Sequence, residues 1–367
     1  MADRDERPPD GAARPSSRAP ALRVEPPSSL SSCVLLPQQG VHARVPMPWL
    51  GFGTYKLAHA REAVGSALQL GYRAVDSAFI YGGEKTEPQT GAALEAALEA
   101  MAREELFVTT KHWRKFHGYE PSLACLRTSL RRLRLEYVDL WLMHWPGPAW
   151  KTMSRRKDEM AANGVWHYAA AGHERESLPA LRAETWRAME DALAQGLARS
   201  IGVSNFNIQH LQESGTLKKT ARIWPPAVNQ VELNPYYQQR ELQEYCAAEG
   251  IVLQAYASLG GQDASRATVQ SLGGPLLEAP PVLDAASANS SLNFRAPSPL
   301  QVLLRWALQK RITVIPKAND PSRALENTRV FHFELSERQM NELDSLERGS
   351  AGRTCWRNDP MRMLDFD

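Results

Sequence analysis

Few features of this sequence point to metal or disulfide chemistry. Only four cysteines occur in 367 residues, at Cys33, Cys125, Cys246 and Cys355, and none are spaced as Cys-x-x-Cys. That argues against a zinc site or a disulfide scaffold and suits a reducing compartment. A run of about eighteen apolar residues is also missing, so no membrane-spanning helix is expected. Charge of one sign is not in excess: 43 Lys and Arg stand against 41 Asp and Glu, a formal net charge of +2. No basic field therefore marks nucleic acid or an anionic membrane as a partner. The first residues have no apolar h-region, and Asp3, Asp5, Glu6 and Asp10 are wrong for an acid-poor transit peptide. A cytoplasmic protein is the expectation.

Hydrophobic residues make up 43% of the chain and charged residues 23%, enough to build a large core. Residues 1–32 are rich in Pro, Arg, Ser and Ala and read as a disordered tail, with a targeting or docking arm as the alternative. Residues 33–367 read as one domain. Apolar segments predict strands over Leu50–Tyr55, Arg73–Ala78, Leu106–Lys111, Val138–His144, Ser200–Asn205, Ala227–Leu233, Ile251–Tyr256 and Thr313–Lys317. Helical spacing fills Arg61–Leu70, Gln89–Arg103, Pro121–Leu135, Thr185–Ala198, Gln239–Ala248 and Ser298–Lys310. Near-continuous apolar strands alternating with amphipathic helices mean a parallel sheet. Eight such units predict an α/β fold of the (β/α)8 TIM-barrel type. Two connections are long, Trp145 to about Leu181 and Leu259 to about Ala296, and long loops in a compact barrel are usually binding loops or lids.

Gly51-Phe52-Gly53, with Asp76 at the end of the next strand, imitates a dinucleotide fingerprint. The imitation fails because Lys56 stands at the third glycine position and no helix opens directly from the glycines. Barrel active sites lie instead at the C-terminal ends of strands. There the second strand ends near Asp76 with Tyr81 five residues on, the third ends in Lys111, and the fourth in His144. A free tyrosine has a pKa near 10 and is a poor acid at neutral pH. An adjacent Lys111 ammonium is expected to lower it, Asp76 to hold that ammonium, and His144 to orient a carbonyl. Taken singly, each residue has a plainer role: Asp76 as a cap, Tyr81 as a turn residue, Lys111 as a surface charge, His144 as a core histidine. Four together at strand ends favour chemistry.

The stretches GYRAVDSAFIYGGE (71–84), LFVTTKHW (106–113) and VDLWLMHWP (138–146) resemble signatures of the aldo-keto reductase family. So do SIGVSNF (200–206), AVNQVELNPY (227–236) and VIPKANDPSRALEN (314–327), in the family's order. The resemblance covers about residues 34–360 and implies the barrel. It also implies a catalytic set of Asp76, Tyr81, Lys111 and His144, with Tyr81 as the acid in NADP(H)-dependent reduction of aldehydes and ketones. Ser204, Asn205 and Gln230 would meet the nicotinamide carboxamide, and Tyr256 would stack on its ring. Gly53, Thr54, Asp76 and Leu259 are implied as further cofactor contacts. Lys317 and Arg323 would hold the 2′-phosphate, with Glu326 and Asn327 at the adenine. Asp320-Pro321 reads as an N-cap and first helical residue, whose backbone N–H groups also favour anions. Strand-end caps, core packing and solvated charges are the plainer readings of these residues.

Three positions depart from the family pattern. Ala318 replaces a common serine, Asp320 puts negative charge near the presumed phosphate, and Gly261 stands where many relatives have a serine. Tyr55, Trp113 and Trp145, with His144, are implied as the wall of a pocket for a small-molecule carbonyl substrate. The segment after Arg348, including Trp356 and Asp359, falls where the family has a specificity loop. Family members are commonly monomers, and the resemblance implies the same here. The alternatives are an NADP(H)-binding regulatory or structural barrel with little turnover, or a metal-dependent hydrolase. For the last, His112 and His117 come nearest to ligand spacing but lack the acidic cluster, so no metal is expected.

Overall fold

The computed structural model describes residues 26–40, 43–147, 178–212, 217–261, 265–289 and 296–355. Two short antiparallel strands, β1 (Cys33–Leu35) and β2 (Pro46–Pro48), precede eight parallel ones. These are β3 (Phe52–Gly53), β4 (Ala74–Asp76), β5 (Phe107–His112), β6 (Leu140–Met143), β7 (Ile201–Ser204), β8 (Val228–Glu232), β9 (Val252–Tyr256) and β10 (Thr313–Val314). Each parallel strand pairs with the next in the chain. The ring closes between the first and last. Leu50 and Val314 form a parallel bridge, Gly51 N–H donates to the Val314 carbonyl at 2.8 Å, and Val314 N–H donates to the Trp49 carbonyl at 2.9 Å. The expected (β/α)8 barrel is the observed fold. The two closing strands are shorter than predicted, because Gly51, Gly53 and Pro316 interrupt regular pairing there.

Side chains alternate across each strand with period two. Val75, Val108, Trp141, Ile201, Val203 and Val231 face outward into the main core between sheet and helices. Ala74, Phe107, Leu140, Leu142 and Val228 belong to a second core at the N-terminal end of the barrel. The β1–β2 hairpin covers that end with Leu36 and Met47, both fully buried. Gln39 locks it in place: its amide donates to the Ile201 and Pro225 carbonyls and accepts from Ile201 N–H at 2.8 Å. With this floor plugged, the polar residues further along the same inward faces open only at the opposite end.

Six predicted helices are present as Ala60–Gln69, Thr86–Leu98, Tyr119–Leu133, Leu178–Ala194, Arg240–Glu249 and Pro299–Gln309. The last shows how the sequence starts a helix. Ser298 accepts from Gln301 N–H, the Gln301 side chain reaches back to Ser298 N–H at 2.9 Å, and Pro299 sits where no N–H is needed. The connection read as a long loop from Leu259 to Ala296 contains two further helices, Arg266–Ser271 and Pro280–Ala288. Its alanines favour helix, and Pro280 fits the first turn. Most of the connection from Trp145 to Leu181 lies outside the described residues.

Residues 26–32, assigned from composition to the tail, lie against the barrel. Arg305 donates to the Pro27 carbonyl at 3.0 Å and Leu30 packs on the main core. The rest of the predicted tail lies outside the described residues. Among the described residues no helix is long and apolar enough to cross a membrane.

His112, on the outer face of β5, is the least comfortable group in the main core. It is fully buried against Trp141 and His117, the two histidine rings standing edge to face at 4.7 Å. Neither His112 nitrogen has a hydrogen-bond partner of good geometry. Burial pushes its pKa down to about 3, offset only in part by the Leu142 backbone. An unfolded histidine takes a proton near pH 6.5. Below that pH the unfolded chain gains a proton the folded protein refuses, so stability falls as pH drops toward 3. An unsatisfied buried polar group costs about 1–3 kcal/mol. His112→Leu is therefore expected to raise the thermal midpoint at pH 7 and to flatten its decline between pH 6.5 and 4. Unchanged midpoints in calorimetry at both pH values would contradict this.

Candidate active site

Asp76 is the last residue of β4, Lys111 lies on β5, and His144 follows β6. All three are buried. Lys111 Nζ meets Asp76 Oδ1 at 2.5 Å and the Ser77 carbonyl at 2.9 Å. Its third contact is Tyr81 Oη at 3.1 Å. The second Asp76 oxygen accepts from Gln230 Nε2 on β8 at 2.8 Å. Gln230 also donates to Gln254 on β9 at 2.7 Å. A polar layer thus spans the barrel just above its apolar floor.

Tyr81 opens a short 3-10 turn, Tyr81–Glu84. Gly82 and Gly83 follow with φ of 60° and 63°, the left-handed region that glycine adopts without a side-chain clash. A Cβ at Gly82 would come within 2.6 Å of Thr86 Oγ1. The turn brings the Tyr81 ring to 5.0 Å from Tyr55 and 5.9 Å from His144. Trp113 lies 5.5 Å and Trp145 6.4 Å from the His144 ring. Tyr55 and His144 thus flank Tyr81, and Trp113 and Trp145 join the cluster through His144.

An ammonium has three hydrogens to donate and cannot accept. Those of Lys111 are directed at Asp76, Ser77 and Tyr81, so Tyr81 Oη is an acceptor in this pair. Its own proton has no acceptor among the described residues. The sequence reading has Lys111 lowering the Tyr81 pKa, and the structure gives the opposite sign. Burial pushes the phenol well above its ordinary value, and Asp76, Tyr55 and Tyr256 push the same way. Lys111 does not reverse this, because its charge is already matched by Asp76 at the shorter distance. Burial also lowers the Lys111 pKa, an effect Asp76 opposes. His144 is held well below the usual histidine value by burial and then by the Lys111 charge, so its ring is neutral at pH 7.

The predicted nicotinamide residues form a second group beside the first. Ser204 Oγ donates to the Gln230 carbonyl at 2.8 Å and is met by Asn205 Nδ2 at 3.2 Å. Asn205 also donates to the His144 carbonyl at 2.9 Å, and its Oδ1 accepts from Tyr256 at 2.7 Å. Asn205 adopts a φ of 63°, which places its amide across the mouth. Thr54 Oγ1 donates to the Asp76 carbonyl at 2.9 Å, and Gly53 is buried in β3. Leu259 packs on the main core.

Lys317, Arg323, Glu326 and Asn327 sit apart from this group, after β10. Asp320 caps helix Pro321–Thr328 by accepting from Ser322 N–H at 2.7 Å. The charge that departs from the family pattern is therefore engaged with the helix start. Lys317 Nζ reaches the Lys56 carbonyl at 3.3 Å, Arg323 is exposed, and Asn327 is buried.

The sequence did not mark Gln254 or Glu232. Period-two alternation back from Tyr256 and forward from Gln230 would have placed both on the inner face. Buried Glu232 accepts from Thr354 N–H at 2.7 Å, Thr354 Oγ1 at 2.6 Å and Cys355 N–H at 3.0 Å. A Cβ at Gly261 would overlap the Thr354 hydroxyl, and its φ of 75° also favours glycine there. Trp356 and Asp359 lie outside the described residues.

The sequence comparisons agree with this geometry. Residues 49–348 match the model of the aldo/keto reductase family. The chain belongs to that family. It is 37% identical over 325 residues to the glyoxal reductase of Bacillus subtilis, covering 88% of this chain and 95% of that protein. Identity is 38% over 325 residues to human aldo-keto reductase family 1 member A1, covering 87% and 90%. The aldose reductase structure from Schistosoma japonicum superposes with a TM-score of 0.66 at 32% identity, covering 83% of this chain and 90% of that one. An aldo/keto reductase from Brucella melitensis gives 0.64 at 31%, covering 85% and 99%.

Removing one partner of a buried ion pair leaves the other charge uncompensated, at a cost of about 3–5 kcal/mol. Asp76→Ala is expected to lower unfolding free energy by about that amount. Denaturant titration checks it, and a loss below about 1 kcal/mol would show that the pair is not held as described.

Proposed function

We propose that this aldo/keto reductase family member is an NADP(H)-dependent carbonyl reductase with Tyr81 as its general acid. The observation that carries the reading is the direction of the Lys111–Tyr81 hydrogen bond, which leaves the phenolic proton unshared beneath an aromatic pocket. Neutral His144 beside it suits a group that orients a carbonyl oxygen. The names of its relatives, glyoxal reductase and aldose reductase among them, point to the same chemistry.

The residues present fit a nicotinamide dinucleotide. Gln230 Oε1 accepts from none of the described residues, so it can receive a carboxamide N–H, with Ser204 and Asn205 beside it. Lys317, Arg323 and the capped start of helix Pro321–Thr328 supply cations and backbone donors for a 2′-phosphate. NADPH held by these residues would supply the hydride for the carbonyl carbon. His144 holds the carbonyl oxygen, and Tyr81 releases its proton to that oxygen as negative charge develops there. The phenolate left behind faces Lys111 at 3.1 Å and regains its proton from solvent. Tyr55, Trp113 and Trp145 shield the reacting atoms from water. We infer a cytoplasmic setting and a monomer from the family's habit.

Tyr81→Phe tests the donor. Turnover should fall about 10²- to 10⁴-fold while NADPH binding, followed by fluorescence, persists. Full activity of this variant would sink the proposal. Since burial raises the Tyr81 pKa above about 10, the phenol stays protonated throughout the neutral range. Reduction should show no alkaline fall below about pH 9, whereas a limb centred near pH 7 would assign the proton to another group.

The cofactor assignment has its own test. Arg323→Ala should raise the KM for NADPH about ten- to a hundredfold and leave that for NADH unchanged, as one charge-assisted phosphate contact requires. Equal effects on both cofactors would remove Arg323 from the phosphate site.

A further inference from the structure

Tyr81 is the proposed proton donor, and within its own turn only backbone bonds hold it, its N–H donating to the Ala78 carbonyl at 3.1 Å. Two glycines follow it, and Glu84 after them also lies in the left-handed region, with φ 75°. A non-glycine residue persists there only when its surroundings hold it. What holds it comes from a neighbouring helix. Arg132 lies in the last turn of Tyr119–Leu133. Its Nη2 donates to Glu84 Oε2 at 2.6 Å, three residues after Tyr81. The same guanidinium stacks over the ring of Phe79 at 4.3 Å, two residues before Tyr81. Its Nη1 faces Glu87 Oε2 at 3.6 Å. Buried Glu87 in turn accepts from Thr110 Oγ1 at 2.6 Å, and Thr110 immediately precedes Lys111. Phe79 is tied to the same strand, since its N–H donates to the Lys111 carbonyl at 3.2 Å. Lys115 supports Glu84 from the other side at 3.3 Å.

One planar cation therefore touches both flanks of the Tyr81 turn and, through Glu87, the strand that carries Lys111. We propose that Arg132 is a positioning residue that sets Tyr81 against Lys111, acting through Phe79, Glu84 and Glu87. It touches neither phenol nor substrate pocket. Its planar fork can bond one carboxylate, face another and stack at once, which the compact charge of a lysine does less completely. The role rests on the reductase reading given above.

The test uses the full chain with Glu84→Gln, Arg132→Met and Arg132→Lys. Glu84→Gln removes the bond but leaves Arg132 beside Glu87, so it remains the informative variant should Arg132→Met not fold. Misplacement of a reacting group by about 1 Å costs up to about a hundredfold. The expected result for Glu84→Gln and Arg132→Met is a kcat lower by roughly ten- to a hundredfold. KM for NADPH should remain close to wild type in both, as should the melting temperature of Glu84→Gln, and Arg132→Lys should recover part of the loss. A kcat within about twofold of wild type in both folded variants overturns the proposal, as does a loss matched by an equal loss of NADPH binding. A crystal structure of Glu84→Gln supplies a readout independent of turnover. Tyr81 Oη should leave its 3.1 Å contact with Lys111 Nζ, and an unmoved phenol also overturns the role. A wild-type protein inert toward carbonyls would overturn the reductase reading alone, since the crystallographic distance still decides the positioning role.

Discussion

The buried contact between Asp76 and Lys111 is the constraint on which the site depends. Its 2.5 Å separation puts a full ammonium inside the barrel, where an unmatched charge could not stay. A buried ion pair is weak as a source of stability, because desolvation offsets most of its attraction. Its value here is orientation. With two ammonium hydrogens directed at Asp76 and the Ser77 carbonyl, the third points at Tyr81. The second Asp76 oxygen then takes a Gln230 hydrogen, and Gln230 bonds Gln254. The ion pair thereby aligns side chains from four strands and dictates which way the phenolic hydrogen faces.

The eight strands were legible because each is a short, largely apolar stretch set between segments of helical spacing or turn residues. Asp76, Lys111 and His144 stood out because nothing in an apolar strand requires an acid, a base or an imidazole at its end. Other parts were hidden for physical reasons. The β1–β2 hairpin carries Pro46 and Pro48, residues that argue against a strand, and it is tolerated as a two-stranded cap outside the barrel sheet. The connection after Leu259 has the composition of a loop, yet its alanine-rich stretch forms helix Pro280–Ala288 where Val282, Ala285 and Ala286 find a surface to bury. The direction of the Tyr81 pKa shift was illegible. Sequence order brings Lys111 near Tyr81 and Asp76 near Lys111, but says nothing of how deeply the phenol is buried.

Two groups at the mouth could in principle give up a proton, and their electrostatics separate them. His144 lies between the Lys111 and Arg114 charges in a dry setting, so its ring is neutral and holds at most one N–H. Losing that hydrogen would leave an imidazolate, a far stronger base than a phenolate. Tyr81 holds its proton for the opposite reason, because burial and the Asp76 carboxylate oppose the phenolate. The site therefore contains one histidine suited to donating a hydrogen bond without parting with its proton. It also contains one tyrosine whose conjugate base has a cation waiting at 3.1 Å.

A raised pKa looks at first like a handicap for an acid. Its effect depends on what receives the proton. The oxygen of a carbonyl that has accepted a hydride becomes an alkoxide, which is much more basic than any phenolate. In the proposed mechanism the basicity of that oxygen draws the proton from Tyr81, whose pKa burial raises. What burial secures is that the proton is present when substrate arrives. Lys111 then acts at a different moment from the one its position in the sequence suggests. In the resting protein Asp76 matches its charge and the phenol stays whole. In the proposed mechanism, once the proton has left, a second anion stands within hydrogen-bonding distance of the same ammonium, and Lys111 stabilises the product of the step. On that proposal the Asp76–Lys111 pair keeps the cation in place for a charge that exists only after the reaction has begun.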